Sequence, residues 1–277
     1  MLGIVDAGGG LRGIYGAGVL DCFLDKGIRF DYHLGVSTGA LNLAAYISEQ
    51  RMFAYRAYTE LPFKEGNLSL CRWLRNGSYI DWAAFDRISG DALWESANTI
   101  AARRLTICAT EAISGKPEYF HGERLNVSLM SVMKASFCPP VASDPCIVDS
   151  IPFFSGSLSD PIPIERAFSE GCDRVVLILG FPIIDIFDFK PPKCCERRIS
   201  ERYPGTISAV RQFAENYSNS LKRALEYERE KRILILAPRE NYSMRNYYTK
   251  DLLSMRLLYS DGRRDARGIV SSLMEES

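Results

Sequence analysis

The stretch DYHLGVSTGALNLAAYISEQ, residues 31–50, does most to narrow the folds open to this 277-residue chain. A short run from Phe30 to Val36 ends in Gly35-Val36-Ser37-Thr38-Gly39, and an apolar, Ala-rich helical pattern follows at once. This is the strand–turn–helix setting of a G-x-S-x-G nucleophile elbow, where a sharp turn projects a serine hydroxyl beyond the end of a strand. Gly35 and Gly39 carry no Cβ, so strand and helix can approach closely. A helix beginning at Thr38 aims its first N–H groups and its dipole at the point where an oxyanion develops. The other reading of the same residues is a glycine-rich turn whose serine only caps the helix.

The preceding segment has the same rhythm. Leu2–Val5 is a short apolar strand, Asp6-Ala7-Gly8-Gly9-Gly10-Leu11-Arg12-Gly13 a glycine loop, and Ile14–Lys26 a helix stopped at Gly27. Strand, loop, helix, strand, elbow and helix make a βαβ opening, hence a parallel sheet. Residues 8–13 satisfy G-x-G-x-x-G, so nucleotide binding through Gly8–Gly13 has to be weighed. That reading wants an acid at the end of the second strand. Asp31 instead opens that strand, and the strand ends in the elbow. The competing reading is an oxyanion loop, in which consecutive glycines expose backbone N–H groups and Arg12 adds positive charge.

Further along, residues 51–103 are rich in aromatics, including Phe53, Tyr58, Trp73, Trp82, Phe85 and Trp94. Core packing of an insertion is the expectation, with a cap that binds acyl chains as the alternative. Strands are expected at Arg104–Ala109 and Pro117–His121, and a helix at Leu125–Ala135, stopped by Pro139-Pro140. Residues 146–168 run through Phe153-Phe154 into Ser155-Gly156-Ser157, then Asp160-Pro161-Ile162-Pro163 and a helix. Asp173–Phe181 reads as a buried strand. Pro191-Pro192 and a basic cluster mark a boundary loop. Thr206–Arg229 reads as one long helix, Ile233–Ala237 as a late strand, and Asn246–Tyr259 and Arg264–Met274 as helices around a turn at Asp261-Gly262.

Composition removes several functional classes. Lys and Arg balance Asp and Glu at 34 each, so no charge excess suits nucleic acid, and none is expected as a partner. No apolar run reaches the length of a membrane span. The two histidines, His33 and His121, are too few for a multi-histidine metal site, and no metal or cofactor is expected. The N-terminus enters a strand without a basic leader, and the eight cysteines lack paired C-x-x-C spacing. A cytoplasmic protein with reduced, mostly buried thiols is therefore expected, although Cys194-Cys195, beside basic residues, could be reactive. A Ser…Asp…His triad of the α/β-hydrolase order needs a late histidine, and none follows residue 121.

Three stretches taken in order, Gly8–Gly13, Gly35–Gly39 and Ser155-Gly156-Ser157 with Ser159–Pro163, resemble the bacterial patatin-like phospholipase family. The resemblance covers about residues 1–181, and the tail with Tyr203-Pro204 and Asn216-Tyr217 is similar to the extension of one bacterial subgroup. It implies a three-layer α/β/α fold over residues 1–184, with a mainly parallel central sheet and a mainly helical region, 185–277, packed on it. It implies hydrolysis of lipid acyl esters without a metal, Ser37 as nucleophile, and the backbone around Gly9, Gly10 and Leu11 as oxyanion hole. A lipid or ester substrate further implies transient contact with a membrane surface.

The third motif departs from the family. Where the family has Asp-Gly-Gly or Asp-Gly-Ala, this chain has Ser155-Gly156-Ser157, so the position of the dyad aspartate carries a hydroxyl. Two serines offer no group able to take the nucleophile's proton near neutral pH. The expectation is an impaired hydrolase, or a lipid-binding or regulatory protein without efficient turnover, unless Asp149, Asp6 or Asp160 supplies the base. For each of the three, a solvated or capping role is the simpler expectation.

Overall fold

The computed structural model describes residues 1–64, 67, 68, 72, 75, 78–87, 105–122, 127–140, 143–183, 199, 201–240, 242–244 and 249–274. Its centre is a sheet of β1 (Leu2–Asp6), β2 (Tyr32–Val36), β3 (Leu105–Glu111), β4 (Pro117–His121), β5 (Cys146–Val148), β6 (Ile151–Ser155), β7 (Arg174–Ile178) and β8 (Ile233–Leu236). The order is β5-β6-β3-β2-β1-β7-β8, with β4 also paired to β3. The run from β3 through β2, β1 and β7 to β8 is parallel, and the β4 and β5–β6 additions are antiparallel. The late strand predicted near Ile233 is thus a parallel edge strand on β7.

Neighbouring residues of a strand point to opposite faces, and both faces of the central strands are buried. Ile4, Val176 and Ile178 enter one apolar layer, while Val5, Val175 and Leu177 enter the other. The first layer is covered by α1 (Ile14–Asp25), α2 (Thr38–Ile47), α3 (Phe53–Glu60), α4 (Leu129–Phe137) and α7 (Leu252–Met274). The second is covered by α5 (Ile164–Ser169) and α6 (Pro204–Arg229). This is the expected three-layer α/β/α arrangement. The proline of α6 sits at its first turn, where no N–H is missed.

Two helical readings need correction. The third helix was expected at Leu125–Ala135, whereas α4 occupies Leu129–Phe137 and its last turn stops before Pro139. Asp261-Gly262 is no turn: α7 is continuous through it. A Cβ on Gly262 would lie 2.1 Å from the Tyr15 carbonyl oxygen, and one on Gly18 of α1 would lie 2.1 Å from the Tyr259 carbonyl oxygen. The glycines let α1 and α7 cross backbone to backbone. The crossing is tied by Tyr259 Oη donating to Asp21 at 2.7 Å and Arg263 to Asp25 at 2.6 Å. Hence α1 is buried from Ile14 to Leu24, on every face.

Among the described residues no helix is long and apolar enough to cross a membrane. Cys22, Cys108, Cys138 and Cys172 are buried thiols. Cys71, Trp73, Trp94 and the Cys194-Cys195 pair lie outside the described residues, as does most of the predicted boundary loop around Pro191-Pro192.

Candidate active site

Ser37 stands between β2 and α2 with φ 53° and ψ −130°. A non-glycine residue in this region is strained by about 1–3 kcal/mol and persists only where its surroundings hold it. The restraints are specific. Ser37 N–H donates to Ser136 Oγ at 2.8 Å, and Ser136 Oγ donates to the Cys108 carbonyl at 2.6 Å, tying the elbow to α4 and β3. Ala40 N–H closes the turn onto the Ser37 carbonyl at 3.0 Å. Gly39 cannot be larger, since its Cβ would stand 2.1 Å from the Asp6 carbonyl oxygen.

The glycine loop faces this elbow. Gly8, Gly9 and Gly10 all take positive φ, and Gly10–Gly13 forms one 3₁₀ turn. The first N–H groups of such a turn, on Gly10 and Leu11, have no partner within it. Both residues line the same cavity as Ser37. Thr38 Oγ1 donates to the Gly10 carbonyl at 3.2 Å and sets the distance between loop and elbow.

Arg12, expected to add positive charge at the loop, is not among the residues lining the cavity. It is buried at 1% exposure, donates to the Met244 carbonyl at 3.1 Å and lies 3.4 Å over the Phe181 ring. It fastens the back of the loop to the C-terminal region. Asp31, which a nucleotide site needs beside the loop, accepts from Leu2 N–H at the opposite end of the strands.

Strand register brings the third motif to Ser37. On β3, Cys108 pairs with Val36 of β2, and the next residue, Ala109, pairs with Ser155 of β6. β4 pairs with both Cys108 and Ala109, so it holds the opposite edge. β2 and β6 therefore meet end to end along one edge of β3, with Ser37 following one terminus and Ser155 closing the other. Ser37, Ser155 and Ser157 line one cavity. Ser155 N–H donates to the Cys138 carbonyl at 2.7 Å, its carbonyl accepts from Thr110 Oγ1 at 2.7 Å, and its hydroxyl shares a 3.0 Å hydrogen bond with Ser157 Oγ.

The three aspartates considered as substitutes stand elsewhere. Asp149 occupies the exposed tip of the β5–β6 hairpin with φ 48°, roughly 15–20 Å of strand away from Ser155. Asp160 accepts the Tyr119 hydroxyl and anchors the turn after Ser155 to β4. Asp6 lies beneath the elbow, where it accepts from Gly8 N–H and from Asn42 Nδ2, each at 2.9 Å. The same Asn42 nitrogen reaches the Gly13 carbonyl at 2.8 Å. Burial pushes the Asp6 carboxyl up to about 6, against the pull of these two donors. Neither Asp6 nor Asp160 is among the residues lining the cavity. His121 pairs with Thr106 through Nδ1 and with Arg166 through Nε2. Among the described residues no cluster of metal-ligating side chains occurs.

The cavity holds about 180 Å³, more than the roughly 150 Å³ that accepts a benzene ring. Its lining is largely apolar and includes Leu41, Tyr58, Trp82, Phe85, Phe137 and Phe213. Within the aromatic segment, Phe53 and Tyr58 are core, and Tyr58, Trp82 and Phe85 line the cavity. Sequence reasoning missed Ser136, Asn42 and Phe213 as parts of the site. Ser136 stands just before the Pro139-Pro140 stop, which was the one local signal available. The other two reach the site only through helix packing.

A family model described as patatin-like phospholipase matches residues 4–168. The uncharacterized protein YjjU of Escherichia coli (strain K12) is 29% identical over 188 residues, which is 65% of this chain and 52% of that protein. The chain thus spans about half the length of the curated relative it matches.

Proposed function

The chain belongs to the patatin-like phospholipase family, and on that premise we propose that it hydrolyses lipid acyl esters through an acyl-enzyme on Ser37, at a rate held down by Ser155. One observation carries the reading: the β2 and β6 termini meet on β3, beside the Gly10–Leu11 turn and under an apolar wall. The acyl group lies against Tyr58, Trp82 and Phe85. Its carbonyl oxygen points to the N–H groups of Gly10 and Leu11, which stabilise the charge that develops there. Ser37 Oγ attacks, the alcohol leaves, and water later releases the acid.

Among the described residues, none lining the cavity is a base. Ser155 and Ser157 can pass a proton between hydroxyls but cannot hold one. A positioned general base contributes about 10²–10⁴-fold. An oxyanion hole and binding alone leave about 10³–10⁴-fold over water when a serine protease loses its triad. Slow turnover is the consequence. The Ser155–Ser157 hydrogen bond also favours a second reading, a lipid-binding protein that keeps the pocket without turnover. A lipid substrate brings the protein to a bilayer or micelle, and exposed Ile147 and Ile151 on the β5–β6 hairpin suit that contact.

The test is reaction with a fluorophosphonate probe, read by intact mass and peptide mapping, beside Ser37→Ala. Labelling confined to Ser37, with measurable ester turnover, supports the hydrolase. Bound lipid with no labelling leaves the binding protein and removes the enzyme.

A further inference from the structure

Tyr217 of α6 is 6% exposed, and among the described residues its hydroxyl oxygen meets no hydrogen-bond partner. Its ring is held by Phe181 and Phe213, with centroids at 6.3 and 6.2 Å. The phenol lines a second, smaller cavity together with Ser37, Ser157, Gly8 and Gly9. A buried hydroxyl without a partner is costly, and phenylalanine would fill the same ring space without that cost. Because Tyr217 lines this compartment, a ligand held there would supply the partner its hydroxyl lacks.

Size decides which ligand. The compartment holds about 20 Å³. One water needs about 10–15 Å³ and two to four polar partners. Neither an acyl chain nor a head group fits. Tyr217, Ser157, Gly8 and Gly9 line it and offer candidate partners, and Ser37 lines both this compartment and the main cavity.

We infer that Tyr217 is a positioning residue that holds, in the compartment behind Ser37, the water that hydrolyses the acyl-enzyme. The inference rests on the hydrolase reading given above. In that step the water oxygen bonds to the acyl carbon and the carbon–Oγ bond of Ser37 breaks. One water proton passes, through Ser157 and Ser155, to Ser37 Oγ. Acyl-enzyme and water become a carboxylic acid and free serine, with no other reactant. Burial pushes the Tyr217 phenol up to about 12, although the nearby Arg12 opposes the shift. The phenol thus stays protonated near neutral pH and orients the water without acting as a base.

Tyr217→Phe in the full chain tests this with p-nitrophenyl butyrate, by stopped-flow burst and steady-state rates, and with intact mass for the butyryl-enzyme. The expected result is burst and fluorophosphonate labelling rates within about twofold of the unaltered chain, with steady-state turnover at least about tenfold lower. The butyryl-enzyme accumulates on Ser37, and added hydroxylamine, which attacks without needing the water site, restores release. A purely structural role would lower burst and steady state together. That parallel loss, or a steady-state rate within about twofold, overturns the inference while leaving the hydrolase reading intact. Absence of any Ser37 acylation in the unaltered chain overturns both. A single cooperative thermal transition close to that of the unaltered chain shows that Tyr217→Phe is folded, so that the split reports on the water and not on the fold.

Discussion

At residue scale, the proposed chemistry turns on Ser155. It is buried at 7% exposure, with its backbone held on both sides, so a carboxylate built there keeps the strand geometry. Ser157 Oγ, 3.0 Å from the present hydroxyl, would donate to it, and burial would lift its pKa toward the working range of a base. Ser155→Asp should raise steady-state ester hydrolysis by about 10²–10⁴-fold. An unchanged rate with intact Ser37 labelling would mean that the carboxylate cannot reach the nucleophile. Asp6 governs stability instead. Its folded pKa, near 6, lies above the ordinary 3.8. The folded state therefore binds the proton more tightly than the unfolded one, and stability falls as pH rises through that window and is level above it. Asp6→Asn removes the titration and keeps an oxygen for Gly8 N–H. Relative to the unaltered chain, it should gain roughly 2 kcal/mol in urea unfolding between about pH 4.5 and about pH 8. A difference independent of pH would show that Asp6 is not the titrating group. Ser37 and the glycine loop were legible in sequence because local backbone demands single them out. The role of Asp6 was not, because sequence places it at a strand end without saying that Asn42 meets it there.

At the scale of elements, the same limit explains the misread α7. A glycine in a helical pattern signals a stop when only local propensity is considered. Gly262 is there for a neighbour, the Tyr15 carbonyl of a helix over two hundred positions earlier. Gly268, six positions on in the same helix, has open space around its missing Cβ. The pair separates propensity from packing. Gly268→Ala should stabilise by about 0.5–1 kcal/mol. Gly262→Ala gains the same propensity but must push α1 and α7 apart, and should lose about 1–3 kcal/mol net. Thermal unfolding of the two variants decides it. Equal stabilisation by both would deny the close crossing. Register carries a comparable lesson. Of the β5–β6 hairpin, only the run through Phe153-Phe154 into Ser155 was visible. Its head-on meeting with β2 needs the pairing with β3, which no spacing in the sequence reveals.

At the scale of the whole molecule, the C-terminal region belongs to the site rather than beside it. β8 extends the sheet from β7, α7 buries α1, Arg12 of the glycine loop reaches Met244, and Phe213 and Tyr217 of α6 wall the two cavities. On α6 alone Ile207, Val210, Phe213, Tyr217, Leu221 and Tyr227 are buried. Each such side chain is worth about 1.5–3 kcal/mol when fully buried. Together they rival the entire net stability of a typical domain, about 5–15 kcal/mol. The family match ends at residue 168, inside α5 and before any of these elements. A chain cut after residue 183 would retain every motif of that match yet expose the β7 edge and both helix-binding faces. We predict that this fragment shows no cooperative thermal transition and no fluorophosphonate labelling at Ser37, while the full chain unfolds in one transition. A fragment that melts cooperatively and labels at Ser37 would make residues 1–183 a self-sufficient hydrolase core and reduce the C-terminal region to an accessory wall.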